Sequence, residues 1–323
     1  MGAVTRIALA CVAAALIAAG GGRAAEDYPS RTVTIIVPFA PGGSTDVLGR
    51  YEASVLQQKL GGTFIVENRT GAGGITGIVA AARAAPDGYT LLHTPTAFGL
   101  IPHLQKFVPY DALHDFAPVV LVGATNFGLV VGPRSPARSV AELIALAKQK
   151  PGELTYASAG VGTTQHLFAE LFKSTAGVDI RHIPYRGTAP GLVDVMSGDV
   201  TMMFTDLGPA LPMVRDGKLA LIAVTTLKRS SEMPDVPTVA ETLPGYEAVG
   251  WQGLLARAGT PDDILDRLNA ALVPDLRSAA TAERFKALGV DVRSTSRDEF
   301  RRWIEAEYDK WGKVIRAAGI AAN

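Results

Sequence analysis

Cysteine is nearly absent: 323 residues contain one, Cys11. A single thiol cannot build a disulfide framework or a multi-cysteine zinc or iron–sulfur site. There is no charge surplus, since 31 Lys and Arg face 31 Asp and Glu. The basic face that DNA or RNA binding requires is therefore not expected. No run of about five like charges forms a tail. The five histidines (93, 103, 114, 166 and 182) lack close metal-ligand spacing. There is no Gly-x-Ser-x-Gly elbow, no His-Glu-x-x-His, and no Gly-Lys-Ser/Thr after a glycine loop. The enzyme classes built on those motifs are not indicated. Long apolar runs are also missing beyond the first two dozen residues, so no membrane-spanning helix is expected in the remainder. At 48% hydrophobic, the chain is too apolar to be disordered.

The one apolar run, Ile7–Ala19, follows Arg6 and ends at Gly20-Gly21-Gly22. At about 13 residues it is shorter than the roughly 20 that cross a bilayer. Residues 1–24 read as a secretory signal, cut after Ala24 with Gly22 at −3. Cys11 sits too early in the run to be a lipoprotein cysteine. Removing 1–24 takes away Arg6, Arg23 and no acid, so 29 bases and 31 acids remain, a net charge of −2. The cysteine leaves with the signal, which suits an oxidising compartment.

After the signal, β-branched and helical patterns alternate, which predicts an α/β protein with mostly parallel sheets. Thr32–Val37 reads as a strand, followed by helical spacing at Val47, Leu48, Tyr51, Val55 and Leu56. Thr63–Val66 and Thr90–His93 are further strands, with an Ala-rich helix over Ile75–Ala85 between them. A second series starts at the capping box Ser139–Glu142 and continues through strands at Leu154–Ala157, Ile180–Pro184, Val200–Phe204 and Leu219–Thr226. Trp251–Ala256 is strand-like, Thr260-Pro261 opens a helix, and Ser296–Glu299 is a capping box before a long last helix.

Three glycine-rich loops each join a strand to a helix: Pro38–Asp46, Gly71–Gly77 and Ser158–Thr164. Glycines let backbone N–H groups approach a ligand, and a helix start presents unpaired amides and a positive dipole end. Any one loop can be an ordinary turn; three in one chain point to anion binding. Gly71–Gly77 misses the dinucleotide fingerprint, with Thr76 at the third glycine position. His166 reads as a ligand contact or a core hydrogen-bonder. Arg186 reads as a bidentate grip on a carboxylate or a surface ion pair. Asp46 and Asp206 follow strands and bind a ligand's hydroxyl, amine or water, or are solvated helix-start acids.

The chain resembles the extracytoplasmic solute receptors of tripartite tricarboxylate transporters, the Bug family. Segments running the mature length carry this: Tyr28–Arg31, Val37–Asp46, Val66-Glu67-Asn68-Arg69, Asp87–Leu92, Tyr156–Gly160, Ile183–Gly187, Val236–Glu241 and Lys310-Trp311. The resemblance implies a periplasmic-binding-protein-like fold of two α/β lobes, with a ligand closed between them. Lobe one would be 26–126 plus 250–323 and lobe two 127–249, with crossings near 125–128 and 248–252. Ligands sit at the carboxyl ends of strands in such sheets, where the loops lie. By resemblance the site residues are Phe39, Ala40, Gly43 and Asp46 from the first loop, Ala72 and Gly73 from the second, and Ser158, Ala159, Gly162 and Thr163 from the third. Asp206 is a further candidate for the ligand's variable end.

The expected function is a periplasmic receptor for a small carboxylate-bearing solute, delivered to integral membrane transporter subunits. It would act as a monomer, with no cofactor, no metal and no nucleic-acid partner. Alternatives are a ligand-sensing co-receptor for a signalling protein, and an enzyme acting on a carboxylate.

Overall fold

The computed structural model describes residues 28–320, apart from 186, 231–232 and 287–288. The expected signal lies outside them. Two sheets are present. The first has β1 (Val33–Val37), β2 (Phe64–Asn68), β3 (Thr90–Pro95), β4 (Phe116–Thr125), β10 (Gly250–Arg257) and β11 (Val290–Val292), in the order β11-β4-β10-β3-β1-β2. β1 is parallel to β2 and β3, and β10 runs antiparallel between β3 and β4. The second has β5 (Phe127–Val131), β6 (Thr155–Ser158), β7 (Arg181–Pro184), β8 (Met202–Asp206) and β9 (Ala220–Val224), in the order β7-β6-β8-β5-β9.

Strand β1 shows why the first sheet is covered on both faces. Alternate residues point to opposite sides, and both sides of β1 are apolar. Ile35 packs with Leu48 and Leu56 of α1 (Ser44–Leu60) and with Leu265 and Leu268 of α8 (Asp262–Leu276). Ile36 faces the other cluster, with Ile78 of α2 (Ile75–Ala82), Phe98 of α3 (Ala97–Leu104) and Phe300 of α10 (Arg297–Ala317). Near-continuous apolar strands of this kind are the mark of parallel sheets buried on both faces. The second sheet repeats the plan. Tyr156 and Phe204 face α4 (Val140–Gln149) and α5 (Thr164–Ala176), while Ala157 and Met203 face α6 (Thr188–Ser197) and α7 (Leu207–Arg215). Helix α9 (Ala279–Lys286) packs beside β11.

The apolar run 116–131 is two strands in different sheets, parted by the single residue Asn126. The return crossing is also short: the Ala248 amide bonds Thr225 of the second lobe, and Gly250 pairs with Thr125 of the first. The last helix joins the lobes a third time. Its start packs Phe300 and Ile304 under the first sheet, whereas Trp311, Val314 and Ile315 enter the core of the second.

Local signals held unevenly. Ser139 and Ser296 both cap their helices, accepting the amides of Glu142 and Glu299; the expected box is closed at Ser296, whereas Glu142 accepts from the Arg138 amide and leaves the box at Ser139 half made. At the eighth helix Pro261 is the N-cap, not the first helical residue, and Thr260 donates its hydroxyl to the Arg257 carbonyl. Helix α3 was not expected, because Gly99 and the internal Pro102 interrupt its apolar spacing.

Candidate functional site

A cavity of about 680 Å³ lies between the two sheets. All three glycine loops end at the helix starts around it, although not every loop residue reaches the cavity. The first loop contributes Phe39 and Ser44, the second Ala72 and Gly73, and the third Gly162 with Thr163. Asp206 joins them from the end of β8. The candidates Ala40, Gly43, Asp46, Ser158 and Ala159 are not among the lining residues.

The reason for each is local. Asp46 is buried and turned inward. Its carboxylate accepts from the Gly42 amide at 2.9 Å, Arg50 Nε at 2.9 Å and Asn68 Nδ2 at 2.8 Å. Burial opposes ionisation, but these bonds win and hold the carboxyl at about 2. Asn68 also donates to the Phe39 carbonyl at 3.0 Å, which ties the first loop to β2. Asp46 is therefore a brace under the loop. Gly43 is the N-cap of α1 in extended conformation, with no side-chain cap, so neither Ser44 nor Thr45 caps this helix.

The second loop is strained. Gly71, Ala72, Gly73 and Gly74 all have positive φ, and Ala72, at 47°, is the sole non-glycine with positive φ among the described residues. Left-handed backbone at an alanine costs about 1 kcal/mol or more and persists where surrounding structure imposes it. Here the carbonyl of Gly71 accepts the amides of Gly74 and Thr76 and turns the chain into α2.

The third loop spends its amides on itself. Ala159 N–H donates to Gln165 Oε1 at 2.7 Å, Gly160 N–H to Ser158 Oγ at 3.1 Å, and Gly162 N–H to His166 Nδ1 at 3.0 Å. Thr163 is the N-cap of α5, yet its hydroxyl donates to the Gly160 carbonyl at 2.8 Å instead of capping. Ser158 Oγ lies 2.6 Å from His182 Nε2. The amides of 159, 160 and 162 are thus taken up by the loop and the first turn of α5. The start of α5 also faces the cavity at Thr163 and Thr164; the Thr163 amide is taken by the Gly160 carbonyl, and the amides just after it have no partner within the helix.

His166 supports this loop from below. It is buried, and its ring stacks on His182 at 4.0 Å with 11° between planes, with Tyr156 beyond at 4.8 Å from His182. Burial, with Lys173 adding to it, lowers His166 to about 4. Burial and the neighbouring His166 lower His182 to about 4. Both rings are neutral near pH 7, and His166 needs to be neutral to accept the Gly162 amide.

Sequence reasoning missed several lining residues. Leu100, Ile101 and Leu104 of α3 form an apolar wall, and Trp251 and Gln252 of β10 lie on the floor. Gly162 lies close to that wall across the cleft: a Cβ added to it would meet Leu104 Cδ1 at 2.9 Å. Gln165 was also missed; its amide group donates to Thr188 Oγ1 at 2.8 Å while holding the Ala159 amide. A glutamine within the first turn after a glycine loop was the available signal. Arg186 lies outside the described residues. Among the described residues, no group of three or more His, Cys, Asp and Glu could hold a metal ion, and no helix is long and apolar enough to cross a membrane.

Residues 48–320 match the family model described as "Tripartite tricarboxylate transporter family receptor". The chain is 39% identical over 300 residues to Protein BugT of Bordetella pertussis, covering 91% of each. Among solved structures it is similar to R. palustris Rpa4515 with adipate, at 36% identity and TM-score 0.79, covering 92% of this chain and 100% of that one. It is also similar to MatC from Rhodopseudomonas palustris with bound malate, at 31% identity and TM-score 0.74, covering 89% and 100%.

Proposed function

Because the chain belongs to the tripartite tricarboxylate transporter receptor family, we propose that it captures a small carboxylate-bearing solute between its lobes and delivers it to integral membrane transporter subunits. One observation carries this reading. The starts of α1 and α5 and the turn before α2 open onto one cavity, and none of the described lining residues is cationic. Helix starts offer amide donors and a positive dipole end to an anion, so a carboxylate can be held without an arginine. Adipate and malate, bound by two structural relatives, are both carboxylates.

The ligand would touch Phe39, Ala72 and Gly73 on one lobe, and Gly162, Thr163 and Asp206 on the other. The division at 126/127 and 249/250 follows the change of sheet, with Asn126 and the segment about Gly250 as hinges. Short crossings of this kind concentrate a rotation in few torsions. The protein works in the periplasm as a monomer after loss of residues 1–24. Its work is capture and closure, with no bond made or broken and no cofactor.

A thermal-shift screen of organic acids, amino acids and sugars tests the reading. A ligand at 100 times its Kd adds about 2.7 kcal/mol to stability. Organic acids should raise the Tm; a response to sugars alone would sink the proposal.

A further inference from the structure

Among the described residues lining the cavity, Asp206 is the sole charged side chain. It ends β8 opposite Phe127 of β5, and it is the N-cap residue of α7, yet its carboxyl makes no capping bond to that helix. The Gln165 side chain lies near it and favours its ionised form. The same glutamine holds the Ala159 amide and Thr188 Oγ1, so it braces the third loop against the start of α6 beside Asp206. Phe127 stands beside it on β5, and Leu100 and Leu104 add apolar wall to the same cavity. A carboxylate facing such a wall lacks the solvation it has in water.

We infer that Asp206 selects the far end of the ligand: carboxylates ending in an amine or hydroxyl are preferred, and a second carboxylate enters only with a proton. The inference rests on the proposed carboxylate function and goes further, to the class of carboxylate. The helix starts hold one end of the ligand and Asp206 meets the other. An ammonium or hydroxyl donates a hydrogen bond there. A second carboxylate puts like charges together in a partly desolvated site, which is strongly unfavourable. One proton from solvent, shared between the two carboxyls, removes the repulsion. Burial raises the Asp206 carboxyl, while its own backbone amide and Gln165 pull the other way. The groups beside it, Phe127 on β5 and Gln165 on α5, do not titrate.

Calorimetric titration of hexanoate, ω-hydroxyhexanoate, ω-aminohexanoate and adipate decides the matter, with butanoate, ω-aminobutanoate and succinate for a shorter spacing. Each is run with the parent and with Asp206→Asn, in two buffers of different ionisation enthalpy. In the parent, the amine and hydroxyl ligands should bind tightest. At a pH where the free protein's Asp206 is ionised, adipate should take up close to one proton and weaken by up to about tenfold per unit of rising pH. In Asp206→Asn, the proton uptake should vanish, and the preference for ω-aminohexanoate over adipate should fall by about tenfold or more. Diacid binding without proton uptake in the parent would overturn the inference. So would an unchanged preference in Asp206→Asn, and either result leaves the carboxylate function standing. If no probe binds the parent, the carboxylate reading fails and the inference with it. Should Asp206→Asn not fold, proton uptake by the parent decides alone.

Discussion

The indole of Trp311 stacks on the ring of Phe168, with centroids 5.3 Å apart and 11° between planes. Trp311 belongs to the last helix, which begins under the first sheet, and Phe168 to the second lobe. Trp311 Nε1 donates to Glu307 Oε2 at 2.8 Å, so the buried indole is both packed and hydrogen-bonded. The helix crosses close to α3, where His103 donates to the Tyr308 carbonyl at 2.9 Å and where a Cβ on Gly312 would lie 2.7 Å from His103 Cε1. This contact ties the lobes together a third time.

Trp311→Ala should therefore cost about 3–5 kcal/mol, the range for deleting a buried aromatic. Urea unfolding followed by circular dichroism measures it. A loss under about 1 kcal/mol would show that the last helix does not secure the second lobe.

Two loop glycines should respond to different extents. Gly43 has φ −78°, and an added Cβ meets only the Ala40 carbonyl oxygen, at 3.9 Å. Gly43→Ala should shift ligand Kd by less than about threefold. Gly162 has φ +78° and its added Cβ meets Leu104 of the facing lobe. Gly162→Ala carries backbone strain of about 1 kcal/mol and holds the lobes apart. It should weaken binding by about tenfold and reduce the compaction seen by small-angle scattering on adding ligand. Equal affinities for the two variants would remove the closing role assigned to Gly162.

Asp46→Asn replaces an acceptor of three hydrogen bonds with a group whose NH2 faces donors. The loss should be on the order of 2 kcal/mol. The pH dependence has a definite sign. The folded carboxyl titrates at about 2 against an ordinary 3.8, so its contribution is full above the ordinary value and disappears as pH falls through about 2. Acid unfolding of the parent against Asp46→Asn should show the two curves converging at low pH. Parallel curves down to about pH 2 would contradict it.

The stacked histidines act in a higher window. Each titrates at about 4 when folded against an ordinary 6.5. Between those values the unfolded chain takes up protons that the folded chain does not, so stability falls as pH drops from about 6.5 to about 4. For His166 alone the full effect is roughly 3 kcal/mol. His166→Gln, which keeps an acceptor within reach of the Gly162 amide, should flatten that slope. Thermal melts across the window test it; an unchanged slope would place the protons elsewhere.

Much of the fold was legible in local signals. The β-branched run at 33–37, the capping serines 139 and 296, and the loop glycines need only short-range chemistry. They fixed strand, helix and turn in place, and Phe39, Ala72, Gly73, Gly162, Thr163 and Asp206 do line one cavity. Which loop atoms face it was decided by contacts far apart in the chain. Asp46 is drawn inward by Asn68, 22 residues on, and Ser158 is paired with His182, 24 residues on. Helix α3 stayed hidden because Pro102 and Gly99 mask its spacing, yet packing against the last helix makes it the wall of the site. Residue type sets what a side chain can bond. Which partner it meets depends on elements brought together only when two sheets and a shared last helix assemble, since burial strongly favours those arrangements in which most polar groups find a partner.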